Sequence, residues 1–350
     1  MTTQRIGQGM ILAAGLGTRL LPVTEKTPKP LVTVANVANV LYGVFLLREA
    51  GIREIVVNLH HLGDHIERAL GDGSAWQVKL HYSREEKLLG TGGGLKKAES
   101  FFAGESLCLV NCDFVSDVRL QPFVDRHFDR DSVATMLLYD KPELAPFYGK
   151  VGTDDQGHLC SLPRKQIGEP TRTGIFTGIH VLGPDVFRYL AEEPSGINEV
   201  LYPALMEESP DRIWGDFLDG HYWHDTGERA TLHKATMALL QCLQDGEERL
   251  IRFLGEFGGL IPHADGVWAP RGAVLSQGAT FEGPVILGAN TNIGSGSHVG
   301  PNVVLGDRSL VGRNARIARF VGFEETVVPD DAVVRDRLQY GELTLFQKNA

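Results

Sequence analysis

The stretch Met10-Ile11-Leu12-Ala13-Ala14-Gly15-Leu16-Gly17-Thr18-Arg19-Leu20-Leu21-Pro22 runs from a continuous apolar segment straight into a glycine turn. A short apolar run closed by such a turn reads as a buried strand. Working outward, further apolar runs at 55–57, 78–82, 107–110 and 133–138 alternate with amphipathic stretches at 40–50, 65–70, 95–101 and 120–128. Strand and helix in regular turn predict a Rossmann-like α/β fold, a mainly parallel mixed sheet with helices on both faces. Ligands of such sheets gather beyond the carboxyl ends of the strands.

After about residue 260 the rhythm changes. Leu275, Phe281, Leu287, Ile293, Val299, Leu305, Val311 and Ile317 recur at a spacing of six, and glycine follows at 288, 294, 300, 306 and 312. Neither a helix nor an ordinary strand repeats at six. One inward apolar residue per hexad with a small residue at the corner predicts a parallel β-helix. The expected division is an α/β domain over 1–248, a join over 249–265, the β-helix over 266–328 and a tail over 329–350.

Composition suits a soluble globular chain: of the 350 residues 43% are hydrophobic and 8% aromatic. The formal charge of −10 argues against nucleic acid as a partner. The start, Met1 to Gly7, holds no apolar leader, and no run reaches the length of a membrane span, so no membrane partner and a cytoplasmic address are expected. Cys108, Cys112, Cys160 and Cys242 form no Cys-x-x-Cys and read as reduced, structural thiols.

The first glycine turn leads through Arg19 to Pro28-Lys29-Pro30. Gly15 and Gly17 let backbone approach a phosphate, Arg19 offers a planar fork, and Lys29 offers a point charge restrained by two prolines. The pattern is neither a P-loop nor a dinucleotide fingerprint, whose third glycine would fall at Leu20. A second cluster, Leu89-Gly90-Thr91-Gly92-Gly93-Gly94-Leu95, stands before an expected helix. It suits contact with a flat base or an anion, or equally a tight strand-to-helix turn.

Asp113 follows the strand Leu107-Cys108-Leu109-Val110-Asn111, and Asp225 lies in Tyr222-Trp223-His224-Asp225-Thr226-Gly227. Two carboxylates assisted by phosphate oxygens and water satisfy magnesium, while either alone reads as a cap or turn residue. His221 and His224 lack the further ligands of a zinc site, and Cys112 has no base to make it a nucleophile.

These residues resemble the sugar-phosphate nucleotidyltransferases, also called nucleotide-sugar pyrophosphorylases. The likeness runs over about 9–240, through the first turn with Pro28-Lys29-Pro30, Gly90 to Gly94, Asn111 to Asp113, Phe176-Thr177-Gly178-Ile179-His180 and Tyr222 to Gly227. The hexads are similar to the left-handed β-helix that several members carry. The resemblance implies a nucleoside triphosphate and a sugar 1-phosphate as substrates, and Mg²⁺ held by Asp113 and Asp225. It implies Arg19 and Lys29, with Asp113, as catalytic, and nucleotide contacts from Ala13, Ala14, Gly15, Gly17 and Thr18. Gly90, Thr91 and Gly92 would hold the base, and Gly178 and Glu199 the sugar, although Glu199 reads equally as a solvated helix-start carboxylate.

The family's glycine before the first aspartate is Cys112 here, and its usual central Glu-Lys is not evident; Arg164 and Lys165 are the nearest candidates, with Lys165 taken as the expected sugar contact. Bacterial mannose-1-phosphate guanylyltransferases are the members most resembled. The alternatives are a uridylyltransferase of N-acetylmuramate 1-phosphate or glucose 1-phosphate, and a non-catalytic protein that binds nucleotide sugars. The β-helix is expected to support self-association. His298 invites comparison with acyltransferases of hexad fold, but its place before inward Val299 makes it an outward surface residue.

Overall fold

The computed structural model of the chain describes residues 6–273, 275 and 277–348. The first five residues, within the segment read as lacking a leader, and the last two of the expected tail lie outside the described residues. Two compact units emerge. One comprises Met1–Leu16, Lys26–Pro30 and Tyr42–Trp223, and the other Gly17–Glu25, Leu31–Leu41 and His224–Ala350. Segments 17–25 and 31–41 thus group with the carboxy-terminal unit, although their place in the chain assigned them to the α/β domain.

The first unit is built on a mixed sheet. Its strands are β1 (Gln8–Leu12), β2 (Glu54–Leu59), β3 (Lys79–Arg84), β4 (Leu107–Asn111), β5 (Ala134–Tyr139), β6 (Val151–Thr153), β7 (Leu159–Leu162), β8 (Lys165–Gln166), β9 (Arg172–Leu182) and β10 (Ile213–Phe217). The spatial order is β8-β7-β6-β9-β4-β1-β2-β3, with β5 pairing β9 and β10. The run β4-β1-β2-β3 is parallel, with Met10 opposite both Val56 and Leu109. Long β9 enters antiparallel to β4, β5 and β6.

Helices α1 (Asn39–Glu49), α2 (Gly63–Leu70), α3 (Gly90–Lys97), α4 (Leu120–Asp129) and α5 (Ile197–Glu208) fall between or after strands. Met10, Val56, Leu109, Met136 and Leu138 of the sheet join Leu95 of α3 and Leu201, Tyr202 and Leu205 of α5 in one buried cluster. Helix α3 starts at Gly90, five residues ahead of the expected start, so the second glycine cluster is itself helical.

In the second unit, helices α6 (Arg229–Gln244) and α7 (Glu248–Gly258) precede the coils, so the segment read as a join is largely helical. The hexads form three parallel faces: Val285 pairs Val303, Asn292 pairs Leu310, and His298 pairs Arg316, each one coil of three hexads apart. Leu287, Ile293, Val299, Leu305, Val311 and Ile317 fill the interior. A Cβ on Gly294 would lie 2.6 Å from the next coil's Arg313 nitrogen, which explains the small residue after each apolar one.

Beyond Ile317 the ladder continues one residue short, with Leu310 opposite Val327 and Arg316 opposite Val333. The lost residue breaks the period of six, so spacing placed Val333–Tyr340 in a tail although it pairs as a further β-helix strand. Within this unit the His233 ring lies 3.0 Å from the Arg319 carbonyl, and the Asn36 amide donates to the Leu305 carbonyl, 2.8 Å.

Candidate active site

Because β4, β1, β2 and β3 run parallel, their carboxyl ends stand side by side. The chain leaves them at Ala13, Asn58–Leu59, Glu85 and Asn111–Asp113. At the end of β4, Asp113 accepts a hydrogen bond from Lys29 Nζ at 2.6 Å, with side-chain exposures of 25% and 12%. A pair this sheltered is screened less by water than a surface pair. Asp113 is therefore already a cation-holding carboxylate. Beside it the Cys112 thiol is pushed up to about 12, first by burial and then by the Asp113 charge, which leaves it inert as a nucleophile.

A cavity of about 480 Å³ opens against the same strand ends, lined among others by Gly90, Thr91, Asn111, His180, Asn198 and Glu199. Three residues expected at the nucleotide or sugar, Gly90, Thr91 and Glu199, thus share one cavity. Thr91 Oγ1 accepts from the Ile197 N–H at the start of α5, 2.9 Å. Gly178 has φ +86°, and a Cβ there would meet Asn111 Nδ2 at 2.8 Å, so this position on β9 admits only glycine against the cavity's Asn111. His180 is buried, 2.7 Å from the Tyr202 hydroxyl, and burial drives its pKa down to about 3, giving a neutral wall.

Gly92 donates its N–H to the Ser195 carbonyl, 2.9 Å, and a Cβ on Gly93 would fall 2.1 Å from the Glu193 carbonyl oxygen. The second cluster is glycine-rich because α3 lies against backbone 193–196. Lys165, on edge strand β8, pairs with Glu207 and is not among the residues lining this cavity. Arg164 is exposed. His221 faces Asp117 at 3.3 Å.

In the second unit the first glycine turn is largely open. Gly15, at the end of the first unit, and Thr18 and Arg19 are all exposed. The Leu20 N–H and the Thr24 hydroxyl both reach the Gly17 carbonyl at 2.9 Å, fixing a tight turn. Arg19 pairs with Glu228 at 2.7 Å, both about half exposed. Glu228 also caps α6. Asp225 is buried and accepts from the Thr231 hydroxyl at 2.6 Å, and neighbouring Thr226 accepts from the Asn39 amide, also at 2.6 Å. His298 lies near Thr280 and Glu282 on an outer face of the β-helix.

Two side chains at the strand ends carry no local sequence signal. Asn58 and Glu85 are buried and bonded to each other and to backbone around both glycine clusters. Among the described residues no group of three or more His, Cys, Asp or Glu gathers as a metal cluster, and no helix is long and apolar enough to cross a membrane. Cys108, Cys112 and Cys160 are buried.

Residues 8–242 match the Nucleotidyl transferase family, and 284–319 match the bacterial transferase hexapeptide (six repeats). The chain belongs to the sugar-1-phosphate nucleotidyltransferases. It is an enzyme that joins a nucleotidyl group to a sugar 1-phosphate, with the left-handed hexapeptide β-helix appended. A UTP–glucose-1-phosphate uridylyltransferase of Synechocystis sp. is 30% identical, with 98% of this chain and 89% of that protein aligned. A mannose-1-phosphate guanylyltransferase of Mycobacterium tuberculosis is 26% identical over 87% of this chain and 81% of its own. A solved Bacillus anthracis structure, described as a glucose-1-phosphate thymidylyltransferase, shares the fold at a TM-score of 0.57 and 23% identity, over 65% of this chain and 93% of its own.

Proposed function

We propose that this nucleotidyltransferase moves uridylyl from UTP to glucose 1-phosphate and releases pyrophosphate. The supporting observation is the Synechocystis uridylyltransferase, whose likeness runs along 98% of the chain at 30% identity, against 87% at 26% for the Mycobacterium guanylyltransferase. This favours the uridylyl alternative over guanylyl transfer to mannose 1-phosphate, which the motifs alone favour.

In this reading an anionic oxygen of the sugar phosphate attacks the α-phosphorus in line. The new P–O bond forms as the bond to pyrophosphate breaks, and no side chain takes a proton. Arg19 is assigned to the departing phosphates. Its half-exposed pair with Glu228 is the kind that contributes little, so the guanidinium transfers to phosphate at small cost. Lys29 is assigned to the α-phosphate side, leaving Asp113 as substrate arrives. Gly15, Gly17 and Thr18 bring backbone to the triphosphate, and Gly90 and Thr91 face the base. Ala13 spends its N–H on Asn58, so it reaches a nucleotide through its carbonyl.

The carboxylate oxygens of Asp113 and Asp225 are hard donors of the kind Mg²⁺ takes, and Asp113 already holds a cation. Each is proposed as a ligand. Bound Mg²⁺ would supply charge neutralisation for two anionic reactants. Gly178 and Glu199 are assigned to the sugar.

A matrix of UTP, GTP and dTTP against glucose, mannose and N-acetylmuramate 1-phosphates, scored by pyrophosphate release and product mass, tests the assignment. UTP with glucose 1-phosphate should give the highest kcat/KM. Preference for GTP with mannose 1-phosphate would return the guanylyl reading.

A further inference from the structure

We propose that Asn58 and Glu85 are positioning residues, a buried relay within the first unit that sets the spacing between the start of the first glycine turn, Ala13 to Gly15, and the second glycine cluster. The proposal rests on the reading that both turns hold the nucleotide.

Three hydrogen bonds form an unbroken chain across the carboxyl ends of β1, β2 and β3. The Ala13 N–H donates to Asn58 Oδ1 at 2.7 Å, Asn58 Nδ2 donates to Glu85 Oε1 at 2.7 Å, and the Leu89 N–H donates to Glu85 Oε2 at 2.9 Å. Asn58 is 2% exposed and Glu85 5%. One end of the chain is the residue before Ala14-Gly15, and the other is the residue before Gly90. No side chain of either turn takes part, so the relay acts on backbone alone.

Its polarity is fully specified. Asn58 must present its oxygen to β1 and its amide to Glu85, and Glu85 must accept on both oxygens. A hydrophobic pair would fill the same volume but leave the Ala13 and Leu89 N–H groups without these acceptors. The surroundings are fitted to the relay. A Cβ on Gly94 would come within 2.7 Å of Glu85 Oε1 and 2.9 Å of Asn58 Nδ2, so the fourth glycine of α3 leaves room for it. Glu85 is also held by its backbone, whose N–H donates to the Leu59 carbonyl at 2.7 Å and whose carbonyl lies 3.0 Å from His60 Nδ1. The carboxylate is thereby anchored at the sheet end. Displacement of either turn by one strand's pleat would break a bond, which couples base placement to phosphate placement.

The test exploits that polarity. Asn58→Asp sets two carboxylates against each other, and Glu85→Gln sets amide against amide or against the Leu89 N–H. Combining the two substitutions restores complementarity with the roles exchanged. The new carboxylate at position 58 accepts from the Ala13 N–H and from the new amide at position 85, whose oxygen in turn accepts from the Leu89 N–H. Steady-state kinetics with UTP and glucose 1-phosphate should show each single variant raising the triphosphate KM by about tenfold or more, with the sugar 1-phosphate KM within about twofold. The double variant should recover most of that loss. Asn58→Ala, which introduces no like-charge contact, gives the same readout if Asn58→Asp does not fold. Variants that lose thermal stability while keeping the triphosphate KM, or a double variant as poor as the two singles combined, would overturn the proposal. If the wild type turns over a different triphosphate, the uridylyl assignment fails while the relay is tested with that triphosphate. If it turns over none, calorimetric binding of UTP replaces KM.

Discussion

The two glycine clusters of this enzyme look alike in the sequence and meet different surroundings in the fold. A Cβ on Gly15 would meet nothing within 4 Å, whereas one on Gly93 would sit 2.1 Å from a backbone carbonyl. The first turn is open at Gly15, where no protein atom requires a small residue, in keeping with the proposed approach of phosphate to that backbone, while Gly17 is fitted to its left-handed φ of 66°. The second is closed against 193–196, so its small residues answer to the fold. A glycine run is therefore evidence of close approach, and only the neighbouring atoms reveal whether ligand or protein approaches.

Substitutions break the comparison most directly at the packed cluster. Gly93→Ala should destabilise the enzyme by about 3 kcal/mol or more, because the Glu193 carbonyl belongs to backbone that cannot rotate away. In a thermal melt that is a fall of roughly 10 °C. A normal melt would mean that α3 and 193–196 separate easily, erasing the contrast.

At the open end, function should fail without folding. Asp113→Asn is expected to lower kcat by about 100-fold or more with the melting temperature little changed, since its carboxylate is tied to the Lys29 ammonium and not to the core. Near-normal turnover would remove Asp113 from the catalytic group. Gly15→Ala should act more gently, raising the triphosphate KM about tenfold while stability stays within about 0.5 kcal/mol of wild type. An unchanged KM would show that no phosphate comes close to that backbone.

The wall behind the second cluster offers a finer contrast, read through pH. Burial holds His180 near 3, below the usual 6.5, and His127 near 4, so both stay neutral in the fold. The unfolded chain takes up protons first as pH falls below 6.5. Stability is therefore full above that pH and declines toward the folded values. His180→Gln should flatten the decline by about one proton, roughly 1.4 kcal/mol per pH unit, in denaturant titrations between about pH 5.5 and 6. An unaltered slope would place the acid-sensitive histidine elsewhere.

Legibility followed the distance over which contacts reach. Strand and helix positions were readable because burial imprints its period locally: the runs at 55–57 and 107–110 sit within β2 and β4. The start of α3 was not, because Gly90 to Gly94 have poor helix propensity and are held helical by 193–196. Lys165, the nearest candidate for the family's sugar-contacting Glu-Lys, pairs with Glu207 on an edge strand, a partner that no local pattern announces. Asn58 and Glu85 offered no signal, since an asparagine at a strand end and an acidic residue in a charged stretch are ordinary.

The amino-acid order by itself determined the β-helix and the family. Each hexad meets its neighbours one coil away, and the first glycine turn and Asp113 lie just beyond the ends of β1 and β4. Tertiary structure alone decided which polar atoms meet. Ala13 finds Asn58 at 45 residues' separation, and Lys29 finds Asp113 at 84. Hydrogen bonds across such distances follow from sheet order, which brings strand ends together without leaving a period in the chain.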